Sequence, residues 1–418
     1  MHPSDQPADP YSVPLESIDM SDPDLYQRNL MLPFFARLRD EAPVHFCPES
    51  DYGPFWSVSR YTDIMAVDTN HQVYSSDHAR GGHILGYEQF FIEDDEFELP
   101  MFIAMDQPRH DLTRKTVSPA VGTENLMRME SQIRASCADI LDNLPVGETF
   151  NWVEAFSIEL TTRTLATLFD FPFEDRRLLT RWSDISVSVP GSGIVDSWAS
   201  RRRELEAMGD YFDRLWRERA PTPGGHDLVS MLARSPDTRN MSRAEFLGNV
   251  LLLIVGGNDT TRNTLTGSVL ALNQFPAEYE KLRRQPELIT SFVPEAIRWQ
   301  TPLAHMKRTA LVDTELAGQH VRAGDKVVMW YLSGNRDERN IEDPDEFIVD
   351  RKRPRNHLSF GFGIHRCVGN RLAELQLRIA WEELLARFHT VEVAGPPERV
   401  RSNIIMGFSD LPVRLHPR

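Results

Sequence analysis

Cysteine is scarce. The three present, Cys47, Cys137 and Cys367, are scattered along 418 residues, which excludes a disulfide framework; Cys47 and Cys137 read as apolar fillers. Zinc patterns are missing as well, with no Cys-x-x-Cys and no His-Glu-x-x-His. Long apolar runs are absent. The longest strongly apolar stretch, 250–255, is far too short to span a bilayer. The N-terminus, Met1-His2-Pro3-Ser4-Asp5-Gln6-Pro7, stays polar to residue 29 and resembles neither a signal peptide nor a membrane anchor. Basic charge is in deficit. Lys and Arg total 46 against 62 Asp and Glu, a net charge of −16 that argues against a nucleic-acid partner. Gly256-Gly257 is followed by no phosphate-loop lysine. There is no linker, internal repeat or low-complexity segment, and the 28 prolines are spread out. One large domain over 30–418, preceded by a polar segment 1–29, is therefore expected, although length alone would suggest two or three domains. These absences together imply a soluble chain in a reducing, cytoplasmic setting.

The hydrophobic fraction, 41%, is ample for a large core. Residues 44–59 read as two strands about the Asp51-Tyr52-Gly53-Pro54 turn, and 320–333 as a further strand after the Gly324-Asp325 turn signal. Apolar residues recur at three- to four-residue spacing over 134–144, 151–169, 200–219, 242–273 and 369–388, which predicts helices. The fold class is mainly α with small β-sheets at one side. Glu93-Asp94-Asp95-Glu96 reads as a solvated loop.

Two stretches stand out. Ser242-Arg243-Ala244-Glu245 is a capping box opening a helix that is apolar on all faces over 250–255, hence buried. Its middle nevertheless holds Gly256-Gly257-Asn258-Asp259-Thr260-Thr261. Two interior glycines cost about 1 kcal/mol each relative to alanine, and a buried Asp-Thr pair costs more unless it is satisfied. The second stretch is Phe360-Gly361-Phe362-Gly363-Ile364-His365-Arg366-Cys367-Val368-Gly369, followed at once by a helical pattern. Its glycines allow a close backbone approach to something flat and bulky. Cys367 falls at a helix start, where free N–H groups and the helix dipole favour a thiolate. A lone cysteine so placed suits a single axial metal bond.

This second stretch resembles the heme-binding signature of the cytochrome P450 superfamily, and the likeness extends over roughly 30–415. The resemblance implies the cytochrome P450 fold and a noncovalent heme b ligated by Cys367, whose thiolate favours O–O cleavage. Phe360 and Gly256 are expected beside the porphyrin, with Gly256 and Gly257 leaving room for dioxygen. Asp259 and Thr260 resemble the acid–alcohol pair, Thr260 holding dioxygen and a water and Asp259 relaying protons from solvent. Glu295-Ala296-Ile297-Arg298 places a carboxylate and a guanidinium on one helix face. With Arg351 it resembles the structural ion-pair network of this fold. His110 and Arg114, at i and i+4, together with Arg308 and His365, resemble the groups that hold heme propionates. No Cys-x-x-Cys-His for covalent heme occurs, and His110 and His365 lack further ligands at coordination spacing.

The runs 253–263 and 357–375 look most like the soluble bacterial terminal alkane and fatty-acid hydroxylases, which implies omega hydroxylation of a medium-length chain. Apolar pocket candidates are 84–85, 90–92, 99–105, 185–189, 303–306 and 404–408, and the expected wall is Met105, Val255, Leu303, Met306, Met406 and Phe408. Methionines adapt to flexible aliphatic chains. No flavin or nicotinamide region is visible, so electrons must come from outside. The resemblance implies a ferredoxin and a ferredoxin reductase drawing on NAD(P)H, with Lys115, Arg128, Arg366 and Arg371 as a docking face. A hydroxylase of terpenes or steroids, a peroxide-driven peroxygenase and a non-catalytic heme gas sensor remain open. The Asp259-Thr260 pair weighs against the peroxygenase.

Overall fold

The computed structural model describes residues 9–87, 99–188, 190, 194–222 and 224–418. The acidic run 93–96, the pocket candidates 90–92 and residue 189 lie outside the described residues. The helices that build the site are α1 (Tyr61–Thr69), α2 (Arg109–Val117), α3 (Thr123–Asp142), α4 (Glu159–Phe169), α5 (Arg177–Ser186), α6 (Arg243–Gln274), α7 (Ile289–Gln300) and α8 (Asn370–Arg387). A five-stranded sheet stands to one side, formed by β1 (Val44–Cys47), β2 (Phe55–Val58), β3 (Tyr74–Ser75), β4 (Met306–Ala310) and β5 (Lys326–Met329) in the order β1-β2-β5-β4-β3. Only the β2–β5 pair is parallel. A second sheet pairs the C-terminal strand Pro412–Pro417 with Thr149–Asn151 and Phe388–Val393. No described helix is long and apolar enough to cross a membrane.

Helix α6 is the axis of the core. Its 32 residues give a rod of about 48 Å. The capping box forms as expected: the Ser242 hydroxyl accepts from the Glu245 N–H at 3.2 Å, and the Glu245 carboxylate accepts from the Ser242 N–H at 3.1 Å. The polar residues at its centre are bonded to neighbouring elements. Thr161 of α4 donates to Asn258 at 2.9 Å, and Asn263 accepts from the Phe408 N–H at 3.0 Å. Trp381 of α8, fully buried, donates to Ser268 at 3.0 Å. Burying such side chains is worth about 1.5–3 kcal/mol each, and one indole bond fixes the register of α8 on α6.

Several elements differ from the periodicity reading. The 134–144 helix is the C-terminal half of α3. The 151–169 helix starts with a π-helical turn, Val153–Ile158, before α4. Residues 320–333 are not one strand: β5 stops at Met329, and Tyr331–Gly334 turn into a short helix. The β-forming run Lys326-Val327-Val328-Met329-Trp330 gives way where Trp330 anchors itself by donating to Ser57 at 3.0 Å. Nor is 9–29 merely a polar segment, since Ile18, Met20, Leu25 and Tyr26 are buried in a cluster with Trp330.

Candidate active site

A cavity of about 780 Å³ lies between α6 and the Cys367 loop. Cys367 and Phe360 face it from one side, and Val255, Gly256 and Thr260 from the other. Leu303, Met306 and Arg308 close a third side, where Leu303 bridges to Ile405. The segment above it is held by α6: the Phe102 N–H donates to Asn249 at 2.9 Å, and a Cβ on Gly248 would stand 2.2 Å from the Pro100 carbonyl oxygen.

The Cys367 loop is built by its glycines, two of which also pack against α1. Gly361 and Gly363 have φ of 61° and 66°, which side chains rarely tolerate. They approach the end of α1, where a Cβ on Gly363 would lie 2.6 Å from the Asp68 carbonyl oxygen. Only Gly369 has open space, on the cavity side. The Cys367 N–H donates to the Phe360 carbonyl at 2.8 Å and closes the loop. Cys367 is exposed by surface area because it faces the cavity. Surrounding protein nonetheless raises its thiol pKa through burial, opposed by the Gly369 and Asn370 N–H groups and by the Arg114 and Arg366 charges. The helix-start donors thus act as expected, and α8 begins at Asn370.

The adjacent glycines of α6, Gly256 and Gly257, divide their work. A Cβ on Gly256 would meet nothing within 4 Å, so it opens into the cavity. A Cβ on Gly257 would stand 2.7 Å from Leu165 Cδ2, so it serves helix packing instead. Thr260 Oγ1 donates to the Gly256 carbonyl at 2.7 Å. That back-bond spends the hydroxyl proton and leaves the oxygen's lone pairs to accept from a water or ligand. Asp259 is buried; its carboxylate lies 2.9 Å from Arg262 and accepts from Ser183 at 3.3 Å. Burial raises its pKa, partly opposed by Arg262.

The polar end of the cavity is rich in unmet hydrogen-bonding capacity. Both ring nitrogens of His365, Nε2 of His110 and Nδ1 of His83 are buried without partners. The His110 and His365 rings stand 4.4 Å apart. Arg114 and Arg308 line the same cavity, Arg114 also donating to the Arg366 carbonyl at 2.5 Å. Burial first, then Arg308, lowers the pKa of His83 to about 3 and that of His365 far below the usual range. Neutral donors beside two arginines suit carboxylates. Together with a thiol on the cavity side and glycine-opened walls, these residues fit a porphyrin carrying two propionates and taking one sulfur ligand.

Beneath the loop, Glu295 accepts from Arg298 at 2.7 and 2.8 Å and from Arg351 at 2.8 and 3.1 Å, all fully or nearly buried. Burial pushes the Glu295 carboxyl up, but the bonds and charges of the two arginines hold it below its usual pKa. Both arginines also donate to the Glu346 carbonyl. The expected wall is corrected in part. Val255, Leu303 and Met306 line the cavity, whereas Met105, Met406 and Phe408 turn into the core. Met101, Phe102 and Ile405 take those places. Sequence reasoning also missed His83, Asn249 and Asp68, which carry no motif.

A family profile described as Cytochrome P450 matches residues 217–408. The linalool 8-monooxygenase of Pseudomonas putida is 36% identical over 408 residues, 97% of this chain and all of the relative. The solved structure of Cytochrome P450-153 from Novosphingobium aromaticivorans is 46% identical, covers 100% of both chains and superposes with a TM-score of 0.89. That of CYP153D17 from Sphingomonas sp. PAMC 26605 is also 46% identical at a TM-score of 0.89, over 95% of this chain and 98% of the other.

Proposed function

This chain belongs to the cytochrome P450 family, and on that premise we propose that it hydroxylates the terminal methyl of a medium-length apolar chain, an alkane or a fatty acid. The family's heme b activates dioxygen with electrons from outside, so one oxygen atom enters a C–H bond and the other leaves as water. In this reading Cys367 is the iron ligand, and His110, Arg114, Arg308 and His365 hold the propionates. Phe360 packs beside the porphyrin, and the Glu295–Arg298–Arg351 network supports the loop from below. Thr260 accepts a hydrogen bond at Oγ1 and orients a water. Asp259 relays protons to that water. Gly256 leaves space on the same face.

The observation that carries the reading is the pairing of Cys367 and Thr260 on one cavity whose remaining wall, at Val255, Leu303 and Met306, is apolar. Each buried CH₂ is worth about 0.8 kcal/mol, so an eight-carbon chain gains roughly 6 kcal/mol before ordering costs and needs no polar anchor. Chain length is then discriminated gently, by about 1–3 kcal/mol per carbon at most. The relative that acts on linalool favours a second reading, a branched terpenoid alcohol in the same cavity.

Electrons are expected from a ferredoxin and its reductase, ultimately from NAD(P)H in the cytoplasm. Lys115, Arg128, Arg366 and Arg371 are all exposed and form the docking face of this reading, suited to an acidic partner. The test is product analysis by gas chromatography after turnover with octane, octanoate and linalool under a surrogate ferredoxin system. 1-Octanol or the omega-hydroxy acid as main product supports the proposal. Mainly internal alcohols, or linalool oxidation alone, overturn it.

A further inference from the structure

One buried carboxylate joins the polar end of the cavity to the Cys367 loop. Asp68 lies one residue before the end of α1. Its Oδ1 accepts from Arg308 Nη2 at 2.8 Å. Its Oδ2 accepts from the Tyr331 hydroxyl at 2.9 Å and from the Phe362 N–H at 2.7 Å. Asp68 is 2% exposed, and Arg308 and Tyr331 are buried with it. Arg308 and Tyr331 line the cavity, and Phe362 belongs to the loop that ends at Cys367. The glycines on either side of Phe362 press against the same point: a Cβ on Gly361 would lie 3.2 Å from Asp68 Oδ2, and one on Gly363 2.6 Å from the Asp68 carbonyl.

A buried carboxylate with three donors is well satisfied, so its position is stiff. Its charge has a second consequence. Without Asp68, Arg308 would bring its full positive charge to the bound heme and favour the state carrying the extra electron. Paired at 2.8 Å with Asp68, it presents a dipole whose field falls off faster than that of a single charge.

We propose that Asp68 is a positioning residue for the heme: it fixes Arg308 and the Cys367 loop to one point and offsets the arginine's charge, which holds the reduction potential down. The inference rests on heme being ligated by Cys367.

The test is an equilibrium redox titration of the holoenzyme with mediator dyes, read beside the spectrum of the reduced, carbon monoxide-bound form. Asp68→Asn keeps shape and loses charge. At a fixed applied potential its reduced-to-oxidised ratio should rise about tenfold, ~59 mV for one electron, with the thiolate-type Soret band retained. Tyr331→Phe removes a bond but no charge and should stay within about threefold of wild type. The double variant Asp68→Asn/Arg308→Gln removes both charges of the pair, leaves the propionates to His110, Arg114 and His365, and should fold even if the single variant does not. Its ratio should return to within about threefold of wild type. An unchanged ratio in Asp68→Asn with the band intact overturns the inference, as does a double variant shifted about tenfold in the same direction. A wild-type protein lacking the thiolate band would instead overturn the heme–thiolate assignment beneath it.

Discussion

Arg262 lies 2.9 Å from Asp259 and 2.9 Å from Asp184 through the same nitrogen, Nη2. The acid of the expected acid–alcohol pair is thus clamped by an arginine one helical turn further along α6, and that arginine is itself shared with α5. For Asp259 to deliver protons to the cavity, this clamp must loosen. Asp259→Asn removes the titrating group while keeping the shape. Turnover should fall by about 10²–10⁴-fold, the usual worth of positioned acid–base catalysis. Substrate-induced spin-state shifts should persist. Single-turnover kinetics in stopped flow would measure both.

Thr260 differs from its neighbour in exposure: both line the cavity, but Asp259 is 1% exposed and Thr260 is half-buried. Thr260→Ala loses the oxygen that accepts from water but keeps the helix, since its hydroxyl only back-bonds to Gly256. Heme content and substrate affinity should match wild type. Product formed per NAD(P)H consumed should drop severalfold, with hydrogen peroxide making up the difference. An unchanged ratio would remove Thr260 from the oxygen-handling machinery.

The adjacent glycines should respond oppositely to the same substitution. Gly257→Ala drives a Cβ to 2.7 Å from Leu165 Cδ2, and overpacking of this kind costs about 1–3 kcal/mol. Gly256→Ala meets open space and gains helix propensity of about 1 kcal/mol, while narrowing the cavity. Thermal unfolding of the two holoproteins should show Tm lowered for the first and held or raised for the second. Substrate binding spectra should change mainly for Gly256→Ala.

Glu295 sets an acid limit on stability. Its folded-state pKa lies below the usual carboxylate value because two arginines bond it despite burial. The stability it contributes is therefore present above its unfolded pKa of about 4.3 and is lost as pH falls through the lower folded value. Glu295→Gln strands two buried guanidinium groups and should cost about 3–5 kcal/mol at neutral pH. Denaturant unfolding from pH 7 down to 3 should show wild type weakening towards the variant at the acid end.

The parts of the site legible in the sequence were those in which neighbours in space are also neighbours in the chain. The Gly-framed run to Cys367, the i,i+3 pair Glu295–Arg298 and the interrupted helix around Asp259 carry their geometry in their spacing. Asp68 does not: its partners Tyr331 and Phe362 come from chain segments far beyond α1, and nothing in Ala66-Val67-Asp68 announces them. A second role of the loop glycines was hidden for the same reason, since Gly361 and Gly363 also approach the end of α1. The break after Met329 was hidden because local β-propensity continues through Trp330, and tertiary anchoring of that indole overrides it. Among apolar residues the type says only that a side chain is buried, not on which side of a wall it lies. Met105, Met406 and Phe408 were assigned to the cavity on type alone.

That last distinction yields the regiochemical prediction. Terminal methyl C–H bonds are the strongest in a linear alkyl chain, so selectivity for the chain end must come from the shape of the cavity. Leu303 and Met306 stand on its wall, while Phe408 is 3% exposed in the core and carries Arg399 over its ring at 4.8 Å. Leu303→Ala and Met306→Ala should open a lateral volume in which the chain can fold over. Internal octanols should then appear at the expense of 1-octanol, with total turnover less affected. Phe408→Ala should behave differently. It should lose about 3–5 kcal/mol of stability as a large-to-small core change, while the folded fraction keeps the wild-type product ratio. Gas chromatography of octane products beside a denaturant melt of each variant separates the two behaviours. A Phe408→Ala enzyme that shifts product towards 2- and 3-octanol would put that ring back on the substrate's wall.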